Sequence, residues 1–319
     1  MIFVGGTGRS GSTILAEILG KHPEIYFLPE ELRFIIDPDG ILSLKSILVD
    51  NWSFYQADFA IDRFYKLMRY LSSRYVGKYP ILPLKNHVGK DFYYHWLDSY
   101  INEICQYSFK NAWGARSNLF RLVLLRFFGR NRLTEIFLER SYYGAPLTEE
   151  EFFSITNRYL KNFFSRAASL HGKKQVVEHT PSNIIHAEFL YKLFPEMKLI
   201  HIYRDPRDII ASYMTKIWAS RDIKVNMKLI SNVLDRWQLI KEKIPKYTYY
   251  ELKFENLIND FGSAIKKLCD FLNIQFHDCI LDIDISLHNI GRWKHELNDE
   301  EKKYFYNNYR YLLERYGYT

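Results

Sequence analysis

The first twenty residues, MIFVGGTGRSGSTILAEILG, constrain the fold more than any other stretch of the chain. A short apolar run, MIFVGG, enters a loop rich in glycine and serine. The loop leads into a segment from Ser12 to Gly20 with helical spacing of its apolar residues. A strand, a tight turn and a helix in that order open a βα unit. Such units bury both faces of their strands only in a sheet covered by helices above and below.

Later segments repeat the pattern. EIYF is a second short extended piece, KQVVEHTP a strand, and SNIIHAEFLYKLF a helix with a polar start that stops before Pro195. KLIHIYR is apolar without alternation, as a strand buried on both faces requires. DIIASYM resumes helix, YTYYELKFENL reads as strand and FGSAIKKLCDFL as helix. The expected fold class is α/β, a doubly wound, mostly parallel sheet in a single domain spanning 1–319. Residues 40–171 carry aromatic and basic residues at helical spacing but no motif. They are expected to form a helical insertion that caps the sheet and holds an acceptor.

Charge and cysteine content exclude several classes. Lys and Arg number 44 against 37 Asp and Glu, a net +7, which suits a polyanionic ligand but is too modest to imply nucleic acid. Aromatics at 17% are assigned to the core rather than to a base-stacking surface. Cys105, Cys269 and Cys279 form no CxxC pair, so they read as free buried thiols and not as a zinc site or disulfide frame. No apolar run is long enough to span a bilayer. NLFRLVLLRFFGR is interrupted by Arg121 and Arg126; it reads as a core helix, with membrane-surface contact as the alternative. No leader pattern precedes the first strand, so a cytoplasmic location is expected.

The opening loop matches the glycine spacing of G-x-x-x-x-G-K-[ST] over Gly6, Thr7, Gly8, Arg9, Ser10, Gly11, Ser12 and Thr13. Ser12 stands in the lysine position, and the cation has moved to Arg9. Converging backbone N–H groups and the helix N-terminus still make an anion nest. Ser10, Ser12 and Thr13 add hydroxyl donors, and Arg9 adds a planar fork of donors. The equipment for a triphosphate with magnesium is missing, and no metal site is expected.

FVGGTGRSGSTIL resembles the donor loop of sulfotransferases that use 3′-phosphoadenosine 5′-phosphosulfate, and LIHIYRDPRDIIASY resembles their second hallmark. The resemblance implies that Arg204 and Ser212 grip the 3′-phosphate of the donor. It makes Tyr250, with Tyr249 as substitute, a neighbour of the adenine. HNIGRWKHEL is similar to the late loop that closes over the donor: Gly291 turns it, Arg292 and Lys294 contact phosphate, and Trp293 is the lid. VEHTPSNI resembles a segment that usually has lysine where His179 stands. Arg207 is expected to pair with a neighbouring aspartate, and His22 to cap the end of the first helix.

Transfer to a hydroxyl needs a group to accept the acceptor's proton. Glu30 arrives on the loop after EIYF, at a distance from Arg9 similar to that of the catalytic glutamate in the tyrosylprotein branch of the family. Glu31 is its rival. The implied acceptor is a hydroxyl of a carbohydrate, lipid, small molecule or peptide tyrosine. Two other readings of the loop remain: an atypical nucleotide-dependent kinase or hydrolase, and a non-catalytic protein that binds anions or a membrane surface.

Overall fold

The structure, a computed structural model, describes residues 1–73, 83–111, 139–285 and 289–318. The chain opens with β1 (Ile2–Gly5), α1 (Ser12–Gly20) and β2 (Ile25–Phe27). The middle contains α2 (Phe54–Leu71), α3 (Lys90–Ile104), β3 (Tyr107–Asn111), β4 (Glu139–Tyr143) and α4 (Glu149–Leu170). There follow β5 (Gln175–Glu178), α5 (Ala187–Leu193), β6 (Lys198–Tyr203), α6 (Pro206–Met214) and α7 (Ile223–Lys241). The chain closes with β7 (Tyr249–Lys253), α8 (Phe254–Asn259), α9 (Phe261–Leu272) and α10 (Asp299–Tyr316). Two compact units result, Met1–Arg33 with Lys161–Thr319, and Phe34–Leu160.

In the first unit the strands form one parallel sheet in the order β2-β5-β1-β6-β7. β1 is central, with Ile2 opposite Lys198 and Gly5 opposite His201 on β6. Ile2, Val4, Ile200 and Ile202 share a core with Leu15 and Leu19 of α1 and with Ile265 and Leu268 of α9. Phe3 faces the other way, its ring 5.7 Å from Phe194, and His201 lies 5.1 Å from Trp237 of α7. Helices therefore cover both sheet faces, and the α/β doubly wound class holds.

His201 is the polar residue among the four buried positions of β6. Its Nδ1 lies 3.4 Å from Glu251 on β7. Trp237 Nε1 and Lys241 Nζ of α7 also donate to Glu251, at 2.8 and 3.2 Å. Burial alone would raise the Glu251 carboxyl, but the bonds from His201 and Trp237 and the charges nearby hold it down to about 2. Burial also lowers the His201 pKa, against the pull of Glu251. This network fastens α7 to the sheet.

The second unit corrects the expectation of a purely helical middle. Beside α2 and α3 it holds an antiparallel hairpin, β3 with β4, running from Tyr107 opposite Tyr143 to Asn111 opposite Glu139. Tyr107 and Tyr143 stack at 4.7 Å, a cross-strand aromatic pair of the kind that stabilises hairpins. Asp58 of α2 accepts the Tyr142 amide at 2.6 Å. NLFRLVLLRFFGR lies outside the described residues.

Other local differences have identifiable causes. SNIIHAEFLYKLF begins as a 3-10 turn, Pro181–His186, before α5. Asn183 pulls that turn tight by donating to Val4 O and to Glu178 Oε2. YTYYELKFENL is strand only to Lys253, after which Phe254 begins α8. Cys105 and Cys269 are buried thiols, but Cys279 is exposed.

Candidate active site

The loop from Gly6 to Gly11 leaves the carboxyl end of β1, the edge where open parallel sheets bind ligands. Gly8, Arg9 and Gly11 all adopt left-handed backbone angles, with φ of 74, 57 and 102°. For Arg9 that geometry is strained, since a Cβ crowds the backbone there. Two glycines are required by space. A Cβ on Gly6 would lie 2.6 Å from the Ile202 carbonyl, and one on Gly11 would lie 2.5 Å from the Phe254 ring. Gly6 N donates to Pro181 O at 2.9 Å, fixing the loop's entry. No side chain caps α1, so its first-turn N–H groups are directed at the loop's interior without a side-chain acceptor.

α6 is bonded to this loop at two adjacent residues. Arg9 Nε donates to Ser212 Oγ at 3.1 Å, and the Tyr213 hydroxyl donates to Thr7 O. Arg204, at the end of β6, is buried. Its Nη2 donates to Asp208 Oδ2 at 3.1 Å and to Asn289 O. Its guanidinium sits 5.0 Å over the Phe254 ring, the ring that also packs on Gly11. Arg9, Ser212, Asp208, Arg204, Phe254 and Gly11 thus belong to one connected cluster.

Asp208 organises the far side of that cluster. Besides Arg204 it accepts the Gly291 amide at 2.8 Å and the Trp293 amide at 3.1 Å. Gly291 makes its turn at φ 79°. Arg292 pairs with Glu296 at 2.7 Å, and Lys294 is exposed. The Trp293 ring lies 4.1 Å from Arg207, whose guanidinium is held by both carboxylate oxygens of Asp205. Trp293 is therefore committed to Arg207 as a stacking partner. Two buried donors of the cluster, Ser10 Oγ and Arg204 Nε, have no hydrogen-bond partner among the described residues. Buried donors normally find one, and an anionic ligand in the loop is the kind of group that would supply it.

Glu30 follows β2, which is parallel to β1, so it emerges at the same edge of the sheet. Its turn is pinned from β5: Leu28 N donates to Val177 O, and Leu32 N donates to Glu178 Oε1 at 3.1 Å. Glu178 is fully buried and also accepts from Thr180 and Asn183; burial raises its pKa against these bonds. The Glu30 side chain is half-buried, and Glu31 is exposed. Burial pushes the Tyr26 phenol up to about 12, with the charge of Glu30 adding to it. Burial lowers the pKa of His179, opposed by a hydrogen bond to the Leu28 backbone and by Glu30.

Tyr250 is not brought to the loop. Its ring lies 5.5 Å from Phe271, and it lines a hollow of about 330 Å³ along the outer edge of β7 with Lys253, Asn256 and Lys267. Tyr249 is buried against Trp237 at 5.3 Å. The aromatic ring beside both the loop and Arg204 is Phe254. The sequence reading also passed over the anchoring by Tyr213 and Glu178 and the hold of Asp208 on the 291–293 turn. His22 does fasten the turn after α1: its Nδ1 accepts from Glu24 N and its Nε2 lies 2.8 Å from Gln275 O. No cluster of metal-ligating side chains occurs among the described residues, and no described helix is long and apolar enough to cross a membrane.

An uncapped helix behind a glycine loop, faced by a strand-end arginine and a helix serine, makes an α/β site whose N–H groups, guanidinium and hydroxyl suit an anion. The sequence pattern of the sulfotransferase family matches residues 2–63 and 113–278, and the chain belongs to that family. Among curated proteins it is similar to the omega-hydroxy-beta-dihydromenaquinone-9 sulfotransferase Stf3 of Mycobacterium tuberculosis and of Mycobacterium bovis, each 24% identical over 162 residues. That match takes in 46% of this chain and 42% of the relative, so it spans less than half the length of either. Among solved structures, the sulfotransferase domain from the curacin biosynthetic pathway aligns with a TM-score of 0.50 at 12% identity. It covers 100% of this chain and 98% of that domain, a likeness of fold.

Proposed function

We propose that this chain transfers a sulfuryl group from 3′-phosphoadenosine 5′-phosphosulfate to a hydroxyl acceptor. The observation that carries the reading is the pair of buried, unpartnered donors, Ser10 Oγ and Arg204 Nε, in one cluster around a glycine nest. The nest and first turn of α1, with Gly8, Gly11 and the hydroxyls of Ser10, Ser12 and Thr13, receive the 5′-phosphosulfate. Arg204 and Ser212 receive the 3′-phosphate. Arg292 and Lys294, on the turn held by Asp208, add outer phosphate contacts. Phe254 takes the role first assigned to Tyr250, as the apolar wall beside the adenosine.

In the reaction the acceptor oxygen bonds to sulfur as the bond from sulfur to the 5′-phosphate oxygen breaks. Glu30 accepts the acceptor's proton, and adenosine 3′,5′-bisphosphate leaves. Arg9 neutralises the charge that grows on the bridging oxygen. Its bond to Ser212 aims the guanidinium, so the favourable geometry is set before substrate arrives. A sulfuryl group carries less charge than a terminal phosphoryl, which is why the reading needs no metal ion. Stf3 is named for a hydroxylated menaquinone, consistent with a hydroxyl acceptor here.

Thermal-shift measurements test the donor. Ligand stabilisation follows affinity, so adenosine 3′,5′-bisphosphate should raise the melting temperature more than 5′-AMP or ATP with magnesium. Arg204→Ala should erase its advantage over 5′-AMP. A shift with ATP and magnesium alone would overturn the reading in favour of a kinase.

A further inference from the structure

The loop between α6 and α7 exposes what a water-facing loop normally hides. Ile217 is fully exposed and Trp218 is 62% exposed. The exposure is built in, because the loop is held from both ends. Asn226 of α7 accepts from Ser220 N and donates to Ser220 O, and the Trp218 ring meets Tyr213 edge-on at 5.0 Å. Val225, Leu229 and Leu239 continue the apolar surface along one stripe of α7, at 56, 52 and 62% exposure. At 3.6 residues per turn the three fall within an arc of about 80°, which the exposed Asn232 and Arg236 share.

Cations lie beside this surface and, at Arg236, within it. Arg221, Lys224, Lys228 and Arg236 are exposed, and none forms an ion pair among the described residues. The nearby acids are engaged: Asp222 caps α7 by accepting Lys224 N, and Asp235 is held by Arg315 and Tyr311. Apolar side chains, an exposed Trp and bordering cations describe an element that lies in a lipid headgroup layer. Lysines and arginines complement anionic lipid, whereas a water-exposed helix gains nothing from the apolar stripe.

We propose that the 215–222 loop and the outer stripe of α7 dock this protein on an anionic membrane surface, with Ile217 and Trp218 entering the headgroup layer. The anchor is one hydrogen bond from the anion loop, since Tyr213 touches Trp218 and donates to Thr7. Resting on the function proposed above, a hydroxyl acceptor dissolved in the bilayer would then be met beside Arg9.

Vesicle co-sedimentation of the full chain, without donor or acceptor, tests the docking independently of the chemistry. The chain should sediment with vesicles containing phosphatidylglycerol, far less with phosphatidylcholine alone, and less as salt rises. Ile217→Ser with Trp218→Ser should cut partitioning by at least about tenfold, and Lys224→Glu with Lys228→Glu should weaken binding to the anionic vesicles selectively. Unchanged melting temperatures would establish that the variants fold. Absence of vesicle binding by the parent chain, or equal binding by the Ser variants, would overturn the proposal. So would a dimer in sedimentation velocity that the Ser variants dissolve while vesicles are ignored, since the stripe would then be a contact between copies.

Discussion

Arg9 Nε donates to Ser212 Oγ at 3.1 Å across 203 positions of sequence, joining the loop after β1 to the helix after β6. The bond is made by an arginine whose own φ is 57°, so the loop's strained backbone and its cation are braced by the same helix. Ser212→Ala removes the brace and leaves a guanidinium N–H without its acceptor. The expected outcome is a fall in kcat on the order of tenfold to a hundredfold, with a smaller rise in donor KM. Steady-state kinetics at saturating acceptor check the split. An equal effect of the variant on both parameters would argue that Ser212 serves the donor alone.

Asp208 is the buried carboxylate on which Arg204, Gly291 and Trp293 converge. Asp208→Ala strands a buried guanidinium and frees the 291–293 turn. The loss expected from breaking a buried pair is about 3 kcal/mol of stability. Chemical denaturation reads that loss. Affinity for adenosine 3′,5′-bisphosphate should fall on the order of tenfold in the same variant. Arg292→Ala, which breaks only the pair with Glu296, should leave stability nearly unchanged.

How much of this was legible can be judged from single residues. The sheet was legible because Ile2, Val4, Ile200 and Ile202 lie in strands buried on both faces, which leaves a continuous apolar run in the sequence. The loop and the Arg204–Ser212 spacing were legible because glycine spacing and strand–helix order are local properties. The hairpin of β3 and β4 was not, since its strands are separated by 27 residues and β4, Glu-Arg-Ser-Tyr-Tyr, does not alternate. Nor was the end of β7: no glycine or proline marks the passage from Lys253 to Phe254, and the tyrosines drew attention away from the Phe254 ring. The anchoring by Asp208 and Glu178 escaped because much of it runs to backbone amides, Gly291 and Trp293 for one and Leu32 and Thr180 for the other, which a sequence does not display.

Glu178 supplies a positioning prediction. It holds Leu32 N just beyond Glu30, together with Thr180 and Asn183, all of them donors. In Glu178→Gln an amide N–H faces one of those donors, and the turn carrying Glu30 loosens. The expected outcome is a kcat lower by about tenfold with donor KM unchanged, and a melting temperature lowered only slightly. Glu30→Gln should fall much further, since the proton acceptor itself is removed. If Glu31→Gln alone abolished turnover, the base would be the neighbour.

Phe254 and Tyr250 make opposite predictions. Phe254→Ala removes the ring that packs on Gly11 and underlies Arg204 at 5.0 Å, so donor KM should rise on the order of tenfold. Tyr250→Phe keeps the packing on Phe271 and should alter donor KM less than twofold, within about 0.4 kcal/mol. Competition by adenosine 3′,5′-bisphosphate gives the same ranking without an acceptor. The reverse ranking would return the adenine to β7.

Glu251 ties stability to acid pH. Burial opposes ionisation, yet His201, Trp237 and Lys241 hold its pKa at about 2, below the ordinary glutamate value of 4.5. A depressed carboxyl binds fewer protons in the folded chain than in the unfolded one. Its contribution is therefore complete above about pH 5 and disappears as pH falls through about 2. Glu251→Gln should cost on the order of 2 kcal/mol near neutrality, and the cost should shrink toward pH 3. Urea midpoints of parent and variant across that range check the sign: converging curves on the acid side support the network, and parallel curves would show that Glu251 titrates alike in both states.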